Sequence, residues 1–278
     1  MNIFDFILIG ITQGILEWIP VSSQGGVMVL LLNFIKINSE LAFNYSIFLH
    51  LGTVIAATIY FRAELSEIFS FNNIKNLFNS KGNDFEETKF LKFIIISTFF
   101  TFLVSGLIYL FLKDNIAKVN VSLITVIIGC FLIITGLLSL IKSKTNNASV
   151  SESYSLNQKF TNKNATILGL MQGFCIIPGI SRSGITSSTM LLQKFNAKDA
   201  FRTSFIISIP VILIGEIGLL ILNGTSFISF DYRILISVAA AAIIGYLTIG
   251  LVLKFVQKFN FAIICFILAA IYIFFSLF

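Results

Sequence analysis

The stretch Pro178-Gly179-Ile180-Ser181-Arg182-Ser183-Gly184-Ile185-Thr186 is a polar island between apolar segments at 165–177 and 190–192. An arginine at membrane depth is costly, so it usually marks a site. Glycines that let the backbone turn, hydroxyl groups and a planar guanidinium together suit an oxyanion such as phosphate. The competing interpretation is a helix contact of small residues with a snorkelling arginine. The central position of Arg182 argues against that alternative.

The composition is that of a membrane protein. Of the 278 residues, 56% are hydrophobic and only 12% are charged, which is about half the charged fraction of a soluble domain. The net charge of +6 comes mainly from lysines near the ends of apolar segments, which indicates membrane orientation and not nucleic-acid binding. We expect one membrane domain over residues 1–278, without an appended soluble domain.

Six apolar segments are long enough to cross a bilayer, which takes about 20 residues. They lie at about 41–62, 90–112, 119–141, 198–222, 232–253 and 260–278. Two further apolar segments, 3–35 and 165–193, are interrupted at 20–26 and 178–186. Half-helices that enter and leave on the same side fit these interruptions, because irregular backbone at that depth needs shielding by protein or water.

The two halves of the chain repeat. Five residues of the first half recur in the second at an offset of 159 positions: Gly10, Gln13, Gly14, Ser22 and Gly25 match Gly169, Gln172, Gly173, Ser181 and Gly184. Each half predicts one re-entrant helix hairpin plus three transmembrane helices, and three crossings invert the second half relative to the first. We therefore expect an all-α polytopic membrane protein of about ten helices. Its inverted repeats cover 1–141 and 165–278, and the polar segment 142–164 is a cytoplasmic connecting loop.

The positions of the basic residues predict the orientation. Thirteen of the 19 lysines and arginines fall in four loops on one side of the predicted topology, at 62–92, 142–163, 194–198 and 254–258. The positive-inside rule makes that side cytoplasmic. The termini and the first hairpin then lie outside, and the second hairpin enters from the cytoplasm. We expect a multi-pass protein of the plasma membrane.

Gln13 and Glu17 lie one helical turn apart, on a face that leads into the first interruption. A glutamate at this depth needs a polar partner, and the repeat symmetry brings Arg182 within reach. One alternative is a structural Glu–Arg pair that only holds the hairpins together. The functional interpretation is a phosphate cradle in which Arg182 and loop N–H groups hold the anion, while Glu17 binds a hard divalent cation.

Three other polar residues lie within apolar spans. His50 is the only histidine of the chain, and its mid-span position makes it a candidate accessory residue beside the more common interpretation as hydrogen-bonded core. Glu216 lies near the end of a span without an accompanying motif, so we interpret it as structural. Arg202, one turn into its span, is expected to face either the site or the lipid headgroups.

Three segments carry a family resemblance: Gln13–Ser23, Leu49–Thr53 and Pro178–Thr186. Together they resemble the bacitracin-resistance family of undecaprenyl-diphosphatases, over essentially the whole chain. The resemblance implies removal of the terminal phosphate from a polyprenyl diphosphate, which yields the monophosphate carrier lipid of peptidoglycan synthesis. It also implies bacitracin resistance, a requirement for Mg²⁺ or Ca²⁺, and a site that opens to the external face.

The resemblance implies roles for particular residues. Glu17 and Gln13 match the family pattern of Glu or Gln, three residues, then Glu, while Ser23 and Arg182 match its serine and its essential arginine. We expect Ser23 to be the nucleophile or to position water, Glu17 to be a metal ligand and base, and Arg182 to neutralise charge on the transferred phosphoryl group. The expected phosphate-binding residues are Gln13, Ser22, Ser181, Ser183, Gly184 and Thr186.

One position departs from the family pattern. The family commonly has histidine where this chain has Gly26, and a glycine can neither accept a proton nor attack phosphorus. Three outcomes stay open: attack by serine with Glu17 as base, attack by a metal-activated water, and lipid binding without turnover. A transporter or flippase of lipid phosphates is the alternative from another class, because inverted repeats with broken helices are also a transporter architecture. Homodimerisation is an open prediction.

Overall fold

The computed structural model describes residues 1–78, 85–116, 121–145, 156–223, 232–256 and 261–275. In these residues helix is the only regular secondary structure, which confirms the predicted helical class. The helices are α1 (Ile3–Leu16), α2 (Ser23–Val29), α3 (Ser39–Phe48), α4 (His50–Tyr60), α5 (Arg62–Ile68), α6 (Phe71–Asn76), α7 (Glu86–Ile116), α8 (Val121–Thr145), α9 (Leu156–Lys159), α10 (Asn162–Gln172), α11 (Arg182–Leu192), α12 (Ala197–Asn223), α13 (Ile234–Phe255) and α14 (Phe261–Phe275).

Helix length and surface both indicate a membrane protein. Four helical stretches are long and apolar enough to cross a bilayer, namely Ser39–Tyr60, Glu86–Phe111, Ala197–Ile221 and Ile234–Phe255. The described parts of α8 and α14 are apolar but shorter. Large apolar side chains point outward from the long helices, and Phe111 and Ile221 are 73% and 77% exposed. An apolar outer surface of this extent suits lipid contact.

The two interruptions begin and end earlier than the sequence predicts. The first covers 17–22, and Ser23–Gly26 already belong to α2; the second ends at Ser181, and Arg182 starts α11. The reason is local. Ser22 and Ser181 have extended backbones, and each accepts a hydrogen bond from the N–H three residues on, as N-caps do.

The predicted span 41–62 consists of two helices, α3 and α4, joined at Leu49. Side chains at the joint bind carbonyls of their own helix: Ser46 Oγ donates to Phe43 O, and Thr53 Oγ1 donates to His50 O. Such bonds bend helices. Helices α5 and α6 lie in the polar segment after α4, and α8, α9 and α10 extend into 142–164. The described chain therefore has more helices than the ten predicted.

Glycines let the two interrupted segments pack closely on long helices. A β-carbon at Gly10 of α1 would overlap the carbonyl oxygen of Ser237 in α13. A β-carbon at Gly169 of α10 would overlap the carbonyl oxygen of Ser97 in α7. Small residues of this kind allow helix backbones to approach in membranes. Because Gly10 and Gly169 are matched in the two halves, each half packs its first helix on a long helix of the other.

Trp18 fixes the start of the first interruption. Its side chain is fully buried, and the indole nitrogen donates to the carbonyl oxygen of Gly245 in α13 over 2.9 Å. Its ring lies 4.9 Å from that of Phe205 in α12, measured between centroids. These two contacts anchor the backbone next to Glu17 to α12 and α13.

Candidate active site

The two interruptions meet in the interior. The backbone N–H of Gly179 donates to Ser22 Oγ over 3.1 Å, and Ser183 Oγ donates to the carbonyl oxygen of Ile19 over 2.8 Å. Gly179 has φ of +101°, and a β-carbon there would lie 2.7 Å from the carbonyl oxygen of Ile128. Only glycine meets both conditions without strain. These contacts bring the start of α11 to the end of α1.

Glu17 is the centre of the polar network. Its Oε2 accepts hydrogen bonds from Gln13 Nε2 at 2.8 Å and from Ser23 Oγ at 2.7 Å. Its Oε1 accepts from a terminal nitrogen of Arg182 at 2.6 Å, so the prediction that Arg182 lies within reach of Glu17 is confirmed. The carboxylate is nearly inaccessible to solvent, with 3% of the side chain exposed. A charge buried to this degree is stable only with such partners.

Arg182 is oriented from two sides. Its other terminal nitrogen donates to the carbonyl oxygen of Ser204 in α12 over 3.0 Å. Thr186 Oγ1 donates to the carbonyl oxygen of Arg182 over 2.7 Å, and the Ser204 hydroxyl lies 2.5 Å from Thr186 Oγ1. Since the Thr186 proton is already given to a carbonyl, Ser204 is the donor in the second bond. The guanidinium therefore has a fixed plane and keeps further N–H donors for a ligand.

His50 lies beside the same carboxylate. Its Nδ1 is 2.9 Å from the carbonyl oxygen of Ile47, and a carbonyl only accepts, so Nδ1 carries the proton. Nε2 then faces Glu17 Oε2 across 3.4 Å. The imidazole therefore lies next to the carboxylate, which keeps His50 a candidate accessory residue.

A cavity of about 140 Å³ opens beside the network. A cavity needs at least about 10–15 Å³ to hold one water, so this one has room for a group of several heavy atoms. Of the residues predicted for the site, those that line it are Glu17, Ser22, Ser23, His50, Ser181, Arg182 and Ser183. The N-terminus of α11 is at this wall, and helix N-termini favour anions.

Three predicted phosphate-binding residues do not line this cavity. Gln13 Nε2 donates to Glu17 Oε2, and Thr186 Oγ1 donates to the carbonyl oxygen of Arg182. The Gly184 N–H donates to Ser181 Oγ over 3.1 Å. In this structure they therefore position the residues that face the cavity.

Three cavity residues were missed by the sequence interpretation. Gln24, Gln172 and Glu216 line the cavity, and each has a buried polar atom without a hydrogen-bond partner. Glu216 was interpreted as structural, but its place in the wall makes it part of the site. The sequence feature that could have identified Glu216 is a carboxylate within an apolar span. For Gln172 that feature is its match with Gln13 in the repeat.

Arg202, whose direction the sequence leaves open, does not face the site and instead pairs with a glutamate. Its guanidinium bonds to Glu64 Oε2, with nitrogen–oxygen distances of 2.8 and 2.9 Å. Both side chains are partly exposed, and neither lines the cavity of Arg182.

Comparison with known proteins gives a consistent assignment. The sequence profile described as Bacitracin resistance protein BacA matches residues 6–271. The chain belongs to this family. It is 34% identical over 265 residues to an undecaprenyl-diphosphatase of Methanococcoides burtonii, which covers 95% of both chains. It is 34% identical to an undecaprenyl-diphosphatase of Sulfurisphaera tokodaii, covering 98% of this chain and 96% of the relative. A Haloarcula marismortui protein of the same name is 31% identical, covering 93% and 92%.

Gly26 stands where the family resemblance leads one to expect histidine, and two side chains approach it closely. A β-carbon there would lie 2.6 Å from Leu16 Cδ1 and 3.1 Å from the Tyr272 hydroxyl. Gly26 does not line the cavity beside Arg182. A larger residue at this position would therefore meet the Leu16 side chain of α1 and the Tyr272 hydroxyl of α14 first.

The carboxylate of Glu17 has little capacity left for a metal ion. A carboxylate offers about four lone-pair positions, and Gln13, Ser23 and Arg182 occupy three of them. In the described residues no group of three or more His, Cys, Asp or Glu side chains forms a metal centre. A divalent cation can therefore bind in this site only if substrate phosphates and water provide most of its ligands, as is common for Mg²⁺.

Proposed function

We propose that this chain hydrolyses undecaprenyl diphosphate to the monophosphate and inorganic phosphate. The observation that carries the proposal is the buried Glu17–Arg182 pair, with Ser23 bonded to it, in the wall of a cavity of suitable size. The family assignment and the names of relatives that match over nearly the whole chain support it. Recycling of this carrier lipid accounts for a role in peptidoglycan synthesis and bacitracin resistance.

The residues suit phosphoryl transfer. Free N–H groups of Arg182 hold the oxygens of the terminal phosphoryl group and neutralise charge as it builds there. The unpartnered amide nitrogen of Gln24 supplies a further donor. Ser23 either attacks phosphorus or positions a water that does. In both cases the serine proton passes to Glu17 Oε2 over the existing 2.7 Å bond, and an attacking water replaces that proton on the serine oxygen. The bond from phosphorus to the bridging oxygen breaks, and the lipid monophosphate leaves. After attack by water, inorganic phosphate forms directly; after attack by Ser23, a water hydrolyses the phosphoserine and releases inorganic phosphate.

Dependence on Mg²⁺ or Ca²⁺ is part of the proposal. A bound divalent cation would supply positive charge that neutralises the diphosphate oxygens. Glu17, with three of its lone pairs occupied, is a poor ligand for this cation, so substrate phosphates and water would provide most of the ligands. The task of this chain's own residues is then to orient the diphosphate and to accept the proton.

We also propose the finer architecture: two inverted repeats, each with a re-entrant hairpin and three crossings, in the plasma membrane. The reciprocal packing of α1 on α13 and of α10 on α7 supports it, as do the matched caps Ser22 and Ser181.

Labelling by a membrane-impermeant thiol reagent tests the orientation. Two variants are compared in a background that lacks the native cysteines, one with Lys36→Cys and the other with Lys75→Cys. Only the cysteine at 36 should react from outside. Labelling of 75 alone would invert the topology and place the site on the cytoplasmic face. Homodimerisation stays a prediction.

The alternative of a lipid-phosphate flippase is not favoured, because the relatives are named as diphosphatases. Proteoliposomes separate the two activities. Headgroup translocation without release of inorganic phosphate would support the flippase.

The direct test measures phosphate release from undecaprenyl diphosphate by the purified full-length protein in detergent with Mg²⁺. Glu17→Gln and Arg182→Lys should each lower the rate on the order of 10²-fold or more, as loss of a preorganised charge does elsewhere. The matched controls are Glu64→Gln and Arg202→Lys, which change the same residue types in an ion pair outside the cavity. These controls should retain the parent rate. Equal rates in all four variants would place the reaction elsewhere.

A further inference from the structure

Among the described residues, two oxygen atoms in the cavity wall have no hydrogen-bond partner. They are Glu216 Oε1 and Gln172 Oε1. Glu216 is 4% exposed and Gln172 is 1% exposed, and both residues line the cavity beside Arg182. Buried acceptors are nearly always satisfied in folded proteins, because leaving one unpaired costs free energy. A ligand of the cavity is therefore the natural partner of these oxygens.

The hydrogen bonds around Thr101 determine which atom of the Gln172 amide is free. Thr101 Oγ1 donates its only proton to the carbonyl oxygen of Ser97 over 2.8 Å. It must then accept from Gln172, whose Nε2 lies 2.9 Å away. The amide nitrogen is thus fixed against α7. The atom left without a partner is an oxygen, which is an acceptor and a ligand for cations.

Gln172 and Gly215, the residue before Glu216, contact neighbouring residues of α7. Gln172 binds Thr101, and the next residue, Phe102, packs against Gly215, where a β-carbon would lie 3.7 Å from the ring. Gly215 directly precedes Glu216 in α12. Ser105, one turn after Thr101 on α7, lines the same cavity. The two free oxygens therefore belong to the part of the cavity wall that α10 and α12 form beside α7.

The chemistry of this wall differs from that of the Arg182 wall. Arg182 and Gln24 present donors, which match phosphate oxygens. Glu216 and Gln172 present acceptors, and these would repel a diphosphate unless a positive group stood between them. Carboxylate and amide oxygens are the ligands that hard divalent cations prefer, and Mg²⁺ often uses one carboxylate with substrate phosphates and water.

The geometry points to a divalent-cation subsite formed by the Glu216 carboxylate and the Gln172 side-chain oxygen, with water and the diphosphate completing the coordination. This subsite rests on the proposed function, since it specifies which residues of this chain hold the cation. Glu17 remains bonded to Arg182 and Ser23 and acts on the proton. The two intramembrane carboxylates therefore have separate tasks.

Titration with Mn²⁺ alone tests the subsite without turnover. Binding to the purified full-length protein is followed by the loss of the electron paramagnetic resonance signal of free Mn²⁺. Glu216→Gln should raise the Kd at least tenfold, and Gln172→Leu should raise it severalfold. Glu17→Gln should leave the Kd within about threefold of the parent value, and the control Glu64→Gln should not change it. Size-exclusion profiles and melting temperatures verify that each variant is folded.

Several results would overturn the subsite. They are the absence of Mn²⁺ binding by the parent, an unchanged Kd in Glu216→Gln, and a loss of binding only in Glu17→Gln. If Glu216 is instead a proton donor, Glu216→Gln will shift the pH profile of phosphate release while the Mn²⁺ Kd stays the same. In activity assays we expect Glu216→Gln to need at least tenfold more Mg²⁺ for half-maximal rate, with recovery at high Mg²⁺.

The two proposals fail in different ways. A parent protein that releases no phosphate at any Mg²⁺ concentration contradicts the diphosphatase function. A parent that releases phosphate while Glu216→Gln binds Mn²⁺ normally contradicts only the cation subsite.

Discussion

Replacing Arg182 by methionine leaves the Glu17 carboxylate buried without its closest cation, and the cost of that change can be worked out from the structure. Glu17 has 3% of its side chain exposed, and Arg182 has 13%. Breaking a buried ion pair on one side typically costs about 3–5 kcal/mol of folding free energy. Glu17→Gln should cost less, about 1.5–3 kcal/mol, because Arg182 keeps its bond to Ser204 O and is closer to solvent.

The double variant separates the pair from its surroundings. In Glu17→Gln/Arg182→Met no unpaired charge remains. The double variant should therefore lose about 2–3 kcal/mol less unfolding free energy than the two single variants lose together. The matched cycle uses Glu64→Gln and Arg202→Met, whose side chains are 31% and 39% exposed. Because exposed pairs contribute little, the coupling there should stay below about 1 kcal/mol.

Reversible unfolding of the purified protein in mixed micelles, followed by circular dichroism, measures both cycles. Additive losses for Glu17 and Arg182, within about 0.5 kcal/mol, would refute the inference that the two residues form a buried pair. A Glu17→Gln variant less stable than Arg182→Met would refute the argument from relative exposure.

Three further predictions follow from local geometry. Gly179→Ala should lower the melting temperature strongly, because it forces a β-carbon against the Ile128 carbonyl at φ of +101°; Gly106→Ala, with open space around it, should be neutral or stabilising by up to about 1 kcal/mol. Gly26→His should give a lower melting temperature without faster phosphate release, so a faster enzyme of unchanged stability would contradict the packing described for this position. Ser23→Ala should slow phosphate release on the order of 10²-fold or more, and a rate within threefold of the parent would show that Glu17 acts without this hydroxyl.

The sequence was sufficient for the helical class, the long spans and the polar centre. Apolar length and sparse charge are properties of the chain itself, so they predict membrane helices without tertiary information. The matched glycines and serines of the two halves also led to the expectation that Arg182 meets Glu17, which the 2.6 Å contact confirms. Element boundaries were less accurate, because the capping role of Ser22 and Ser181 starts each following helix earlier than the polar pattern suggests.

What this sequence by itself determined is which side chains are too polar for lipid and therefore need partners: Glu17, Arg182 and Glu216. The repeat match predicted the contact between Glu17 and Arg182, whereas only the tertiary structure decided the remaining partners. Glu17 is surrounded by donors from three segments, whereas Glu216 has a free oxygen in a cavity wall shared with Gln172. The physical reason is that the direction of a helical side chain depends on how the helix is rotated against its neighbours, and that rotation is set by packing between helices distant in sequence.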